Sequence, residues 1–348
     1  MLGSSDHEET IASRIPPDVE QRGLDARADS EPLRGVPGKR TTDLDPPEIS
    51  DLVVAFDQKT LARLDVRQDD VVTELERHRL FRGAAIVAGW PHQRGVLDGE
   101  FVDGVLLRSH LEMQRLSEEF QQGARMARLL APLVATEPRS PERRMRVVDV
   151  GCGLGYVTRW LGANGGLGAN VELLGCDYNA ALVGEATRLS GLERLPCEFV
   201  VANAFSLEEP AGIYTSTGVI HHFRGEGLTR FFAEQAEAAP IGFVHSDIKP
   251  TWLAPVGSWI FHRARMREPL ARVDGVLSAI RAHSGETLAA AARAGCPGYA
   301  LFLFDAVHER LPLLKVMQAI VGVRADRVEA FVRNLGPLRS RVRRVADA

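Results

Sequence analysis

The run Val147-Val148-Asp149-Val150, followed at once by Gly151-Cys152-Gly153-Leu154-Gly155, constrains this chain more than any other stretch. Its β-branched residues suit a buried strand. Three glycines at alternate positions then permit positive φ and let a ligand approach the backbone closely. The next residues, Tyr156 to Leu161, have helical character. The predicted unit is therefore strand, tight turn and helix. The N-terminus of such a helix offers free N–H groups to a polar or anionic ligand.

The same alternation continues downstream. Residues 147–150, 171–177, 198–202, 212–218, 241–246 and 299–305 read as strands, with helices predicted over 156–163, 179–190, 228–239 and 284–295. Asn179 and Ser284 are expected N-caps. Repeated strand–helix order implies a doubly wound, mostly parallel α/β sheet with helices on both faces. About seven strands are expected, the seventh without a clear position in the sequence. Ligands of such sheets bind at the carboxyl ends of the strands.

Around this domain, expected over 136–310, lie other segments. Residues 1–48 are rich in charge, Ser and Pro and show no periodicity, so they read as a disordered leader. Residues 49–135 read as an N-terminal helical cap. Within it, 104–133 repeats apolar residues, from Leu106 and Leu107 to Leu130 and Leu133, at three- and four-residue steps, and Gly123 is the expected break. Two readings of this block stay open: a cover over the ligand with Gln121, Gln122 or Arg125 reaching in, or an ordinary packing helix with a polar outer face. Residues 250–283 read as an inserted helical lid carrying Trp252, Trp259 and Phe261 beside Arg263, Arg265 and Arg267. Residues 311–348 read as mostly helical and end in Arg339, Arg341, Arg343 and Arg344.

Composition removes several classes. A formal charge of −4 gives no global reason to bind nucleic acid. No C-x-x-C pair occurs among Cys152, Cys176, Cys197 and Cys296, which points away from a zinc knuckle or disulfide framework and toward a reducing cytoplasm. The first thirty residues lack the charge and apolar pattern of a signal peptide, and no apolar run is long enough to span a bilayer.

Two ligands compete for the glycine turn. A dinucleotide fold needs G-x-G-x-x-G, and Tyr156 stands where its third glycine would be. The order Asp149-x-Gly151-x-Gly153-x-Gly155 instead resembles motif I of class I S-adenosylmethionine-dependent methyltransferases. Further positions extend the resemblance over about residues 108–306. Asp177 ends the second predicted strand, where the family's acid binds the ribose hydroxyls. Asn203-Ala204 follows the third, where an acid or amide meets adenine. Gly218-Val-Ile-His221-His222-Phe223 follows the fourth, and Asp247 the fifth. The resemblance implies a Rossmann-like fold, with S-adenosylmethionine held by Asp149, Gly151, Gly153, Gly155, Asp177, Asn203 and Ala204.

Methyl transfer needs positioning, a dry cavity and sometimes a base. His221 and His222 are the candidate bases, since histidine titrates near neutrality. His245, lying before its strand's end, is expected to be structural. Some relatives hold a metal through E-x-x-E-H at this place. Here the glutamate positions are Gly218 and His221, so no metal is expected. The lid aromatics point to a small, apolar or aromatic acceptor, with O-methylation favoured and a homodimer allowed for; the alternative for those rings is that they anchor the lid. Two further readings stay open: a protein that binds S-adenosylmethionine without methylating, and a methyltransferase acting on protein or nucleic acid.

Overall fold

A computed structural model describes residues 46–137, 144–207, 211–305 and 316–345. Its centre is an eight-stranded sheet. In chain order the strands are β1 (Met145–Val150), β2 (Val171–Asp177), β3 (Cys197–Val201), β4 (Ile213–Thr217), β5 (Gly242–Ile248), β6 (Tyr299–Asp305), β7 (Met317–Arg324) and β8 (Val342–Arg344). Their spatial order is β8-β6-β7-β5-β4-β1-β2-β3. The five strands from β5 to β3 across the sheet pair parallel, whereas β7 runs antiparallel between β5 and β6 and β8 pairs antiparallel with β6. The β1–β2, β2–β3 and β4–β5 connections pass through a helix, and the parallel pairing places all five carboxyl ends along one edge.

Apolar runs with no alternation make this sheet because both of its faces are covered. On one face, Met126, Leu129, Leu130 and Leu133 pack with Val147, Ile213, Val244 and Phe331. On the other, Phe231, Phe232, Leu288 and Ala292 pack with Val148, Tyr214, Phe243 and Ile320. Asn179 and Ser284 cap their helices as expected: the Asn179 side chain accepts from Ala181 N and Leu182 N, and Ser284 from Thr287 N.

Three expectations are corrected. The seventh strand exists, and it lies in the C-terminal segment that reads as mostly helical. Met317–Arg324 is buried nearly end to end, so its short apolar run has neither strand alternation nor helical length to reveal it. An eighth strand, β8, follows it. The break in the 104–133 helix falls at Phe120–Gln121, where Gln121 turns left-handed at φ 52°, and not at Gly123. Gly123 sits inside the second piece and lets it close on the Trp160 ring.

The N-terminal cap comprises α1 (Ile49–Leu52), α2 (Gln68–Arg77), α3 (Phe81–Ala88), a two-residue hairpin, α4 (Gly99–Glu119) and α5 (Gln122–Val134). Residues 250–283 carry the two helices Ala254–Arg265 and Pro269–Arg281. Cap and lid are not separate: Leu270 of the second lid helix is buried in one cluster with Ile49, Val53, Leu75, Val102 and Leu106. No described helix is long and apolar enough to cross a membrane.

Candidate functional site

The turn after β1 adopts the backbone its glycines make available. Gly151, Gly153 and Gly155 have φ of 69°, 53° and 69°. A Cβ on Gly151 would lie 2.8 Å from Val219, and one on Gly153 would lie 2.8 Å from the His110 ring. Asp149 is buried beneath the turn. One of its oxygens accepts from Thr158 Oγ1 at 2.8 Å, which ties the strand to the following helix. The other, Oδ1, is buried with no hydrogen-bond partner. Burial pushes this carboxyl up to about 7. A buried orphan acceptor beneath the turn fits a ligand that brings its own donor, as the amino-acid end of S-adenosylmethionine does.

Asp177 stands at the end of β2. Its Oδ2 accepts from Gly153 N and its Oδ1 from Asn179 N, both at 3.0 Å. A carboxylate has about four acceptor positions, so lone pairs remain for two hydroxyls. Burial raises this carboxyl above its ordinary range, although those N–H groups and His110 pull against it. Tyr178 packs edge-on against Phe56 of the cap, with ring centroids 5.1 Å apart. Asn203 Oδ1 accepts from Phe205 N, and its Nδ2 donates to the Gln58 carbonyl at 3.0 Å. The cap thus reaches over the residues expected to hold the cofactor, and Asp177 and Asn203 face it together.

His221 and His222 lie in a short helical turn after β4, with ring centroids 4.4 Å apart and planes tilted by 32°. Each ring has a carboxylate on Nδ1: Asp247 Oδ1 at 2.8 Å for His221, and Asp51 Oδ1 at 2.8 Å for His222. Each Nε2 faces Glu48, at 3.3 Å from His221 and 3.9 Å from His222. For His221, burial would lower the pKa, but Asp247 and Glu48 outweigh it and raise it to about 10. His222 is raised in the same way by Asp51 and Glu48. In return, the histidines outweigh the burial of Glu48 and Asp247 and hold both carboxyls below their ordinary range.

The lid fixes this centre. Arg281 donates to the carbonyls of His221, His222 and Pro46 and pairs with Glu48 at 3.6 Å and Asp51 at 3.5 Å. Asp274 accepts the Ile49 and Ser50 N–H groups at 2.8 and 2.9 Å, anchoring α1. Burial pushes the Asp274 carboxyl up to about 7.

Glu48, Asp51, Arg281, Asp274 and His110 are absent from the sequence-based site. Glu48 falls in the segment read as leader, yet it is 3% exposed and central. No local signal marks it, because its partners are more than 170 positions away. His110 lies inside an apolar helical stripe and reads as a packing residue. His245 is structural as expected: its nitrogens meet Ser216 Oγ and Gln235 Oε1 at 2.8 and 2.9 Å, and burial pushes it down to about 3. Of the lid aromatics, Phe261 packs on Phe120 at 5.6 Å, whereas Trp252, in the turn before the first lid helix, and Trp259, on that helix, stand exposed. Arg265 pairs with Glu119 on the surface, as Arg343 does with Glu286. A cavity of about 1640 Å³ opens at the opposite, amino edge of the sheet and contains none of the expected cofactor residues.

Residues 147–239 match the family model for a methyltransferase domain. No curated protein sequence matches the chain. Several solved structures are distantly similar. The plantazolicin methyltransferase BamL is 10% identical, with 64% of this chain and 96% of that one covered at a TM-score of 0.46. Magnesium protoporphyrin IX methyltransferase from Synechocystis PCC 6803 is 16% identical, with 74% and 100% covered at 0.42. A SAM-dependent methyltransferase from Aquifex aeolicus is 14% identical, with 53% and 84% covered at 0.37.

Proposed function

From the S-adenosylmethionine-dependent methyltransferase domain that this chain carries, we propose that the enzyme methylates an oxygen of a small molecule with an apolar or aromatic body and an acidic hydroxyl. The observation that carries this reading is the buried His221–Asp247 pair beyond β4, at the same sheet edge as Asp177.

S-adenosylmethionine supplies an electrophilic methyl group that an acceptor oxygen takes in an in-line displacement. Gly151, Gly153 and Gly155 open the backbone to the cofactor. Asp177 binds its ribose hydroxyls, Asn203 and Ala204 flank its base, and Asp149 offers Oδ1 beneath the turn. Asp247 fixes the His221 ring through Nδ1 and leaves Nε2 to take the acceptor proton. With a pKa of about 10 the ring is an imidazolium at neutral pH and first gives its Nε2 proton to solvent; as pH rises toward that value the neutral ring forms, and there it is matched to a phenol-like hydroxyl. The bound pair then amounts to an oxyanion against an imidazolium. His222, less buried and held by Asp51, is the second group able to play this part. Phe56 and Tyr178 offer an apolar wall near the cofactor residues.

The test is incubation of the full chain with methyl-labelled S-adenosylmethionine and a panel of phenols, carboxylic acids, amines and thiols. Transfer to phenols or acids, reduced in His221→Ala, is the expected result. Binding of the cofactor with no transfer to any small molecule, or transfer to amines alone, would overturn the reading.

A further inference from the structure

We propose that Glu48, His221 and His222 together bind one divalent first-row transition-metal ion at the acceptor end of the pocket. The inference rests on the proposed function's placing the acceptor beside His221, and it replaces the proton-accepting role of that ring with metal ligation.

The geometry has four independent parts. First, one ligand atom from each of the three residues lies within 4.8 Å of the other two. An ion with bonds of about 2.0–2.2 Å needs its ligands roughly 3–3.5 Å apart, a side-chain adjustment of about 1 Å. Second, both rings are held as metal-bound histidines are. Each gives Nδ1 to a carboxylate, Asp247 or Asp51, which turns Nε2 toward the common centre. Third, the Glu48 carboxylate faces both Nε2 atoms, and its Oε1 is buried with no hydrogen-bond partner. An Nε2 lone pair facing a carboxylate is repulsive, so either a second ring proton or a positive ion lies between each ring and Glu48. Fourth, Glu48, Asp51 and Asp247 against Arg281 leave two negative charges unbalanced. Two ring protons would balance them, and so would a single divalent ion.

The donor set selects the ion. Two imidazoles and one carboxylate suit zinc, iron(II), cobalt or manganese; calcium and magnesium prefer oxygen ligands. Three protein ligands on one side leave coordination positions open. An acceptor oxygen bound there would lose its proton more readily, and the histidines would hold the ion rather than take the proton. The expectation of no metal rests on the missing glutamates of a local E-x-x-E-H motif. Glu48 supplies the carboxylate from a distant part of the chain.

The experiment uses the full chain stripped with a chelator, then equilibrated with cobalt(II) alone. After gel filtration it is read by elemental analysis and by visible absorption. The expected result is about one equivalent retained, with a ligand-field band, and binding weakened at least about tenfold in Glu48→Gln and in His222→Ala. Calorimetry with S-adenosylhomocysteine is run in parallel. Cobalt bound without S-adenosylhomocysteine binding supports the metal site while counting against the cofactor assignment. Wild-type protein that retains under about a tenth of an equivalent overturns the proposal, and so does a folded Glu48→Gln that binds cobalt as well as wild type. Should neither variant fold, the wild-type stoichiometry and spectrum decide.

Discussion

The Asp247 carboxylate holds His221 at two points: Oδ1 lies 2.8 Å from ring Nδ1, and Oδ2 accepts the His221 backbone N–H at 3.0 Å. One side chain therefore fixes both the turn after β4 and the orientation of the ring. Asp247→Asn keeps the shape and removes the charge. Turnover should fall about 10- to 100-fold with S-adenosylhomocysteine affinity unchanged. Because the carboxylate raises the His221 pKa toward 10, its loss should also move the alkaline rise of the rate in chelator-treated enzyme to lower pH. A profile that does not move would show that His221 is not the proton acceptor.

Stability should depend on pH with a definite sign in metal-free protein. His221 and His222 titrate above their unfolded value near 6.5, so their contribution is complete below that pH and lost as pH rises through their raised values, about 10 for His221. Asp149 and Asp274, pushed up to about 7, lose theirs between about pH 4 and 7. Glu48, Asp51 and Asp247 are depressed, so theirs is present above about pH 4 and lost on acidification. The unfolding midpoint, followed by circular dichroism in the presence of a chelator, should peak at about pH 4 and fall steadily to pH 10. A flat midpoint between pH 7 and 10 would contradict the assignment of paired, buried histidines.

Asp177→Ala removes the acceptor proposed for the ribose hydroxyls. Calorimetry with S-adenosylhomocysteine should show a loss of about 1–3 kcal/mol, the scale of charge-assisted hydrogen bonds. Unchanged affinity would remove Asp177 from the cofactor site.

Gly155→Ala tests the turn itself. Gly155 has φ of 69°, and a Cβ there would be driven into the Phe199 ring. Strain and overpacking together should destabilise the fold by about 1–3 kcal/mol in urea unfolding. A variant as stable as wild type would mean that the turn relaxes to another backbone.

Asp274→Ala frees the Ile49 and Ser50 N–H groups and loosens the segment that carries Glu48. Stability should drop by about 1–3 kcal/mol, and the pH dependence of His221 should change although Asp274 does not touch that ring. Loss of stability with an unaltered His221 titration, read by NMR, would assign Asp274 a purely structural part.

The parallel strands are legible because each is a short, largely apolar run ending at or beside a recognisable acid, amide or glycine. Asp177, Asn203 and the glycine turn announced themselves by position relative to those strand ends. β7 did not, since Met317–Arg324 is buried on both faces and its pattern carries no period of its own. Gly123 was misread for a related reason. A glycine inside a helix looks like a break, whereas its small size here accommodates the Trp160 ring.

By itself, then, the sequence determined the parallel strands, the glycine turn and the position of the two histidines after β4, because short-range periodicity and strand-end residues encode them. Tertiary structure alone decided what surrounds the histidines. Glu48 and Asp51 come from the N-terminal segment, Asp247 from β5, and Arg281 and Asp274 from the lid. Their charges acquire meaning only within a few ångströms of one another and away from water, and no spacing along the chain records that proximity.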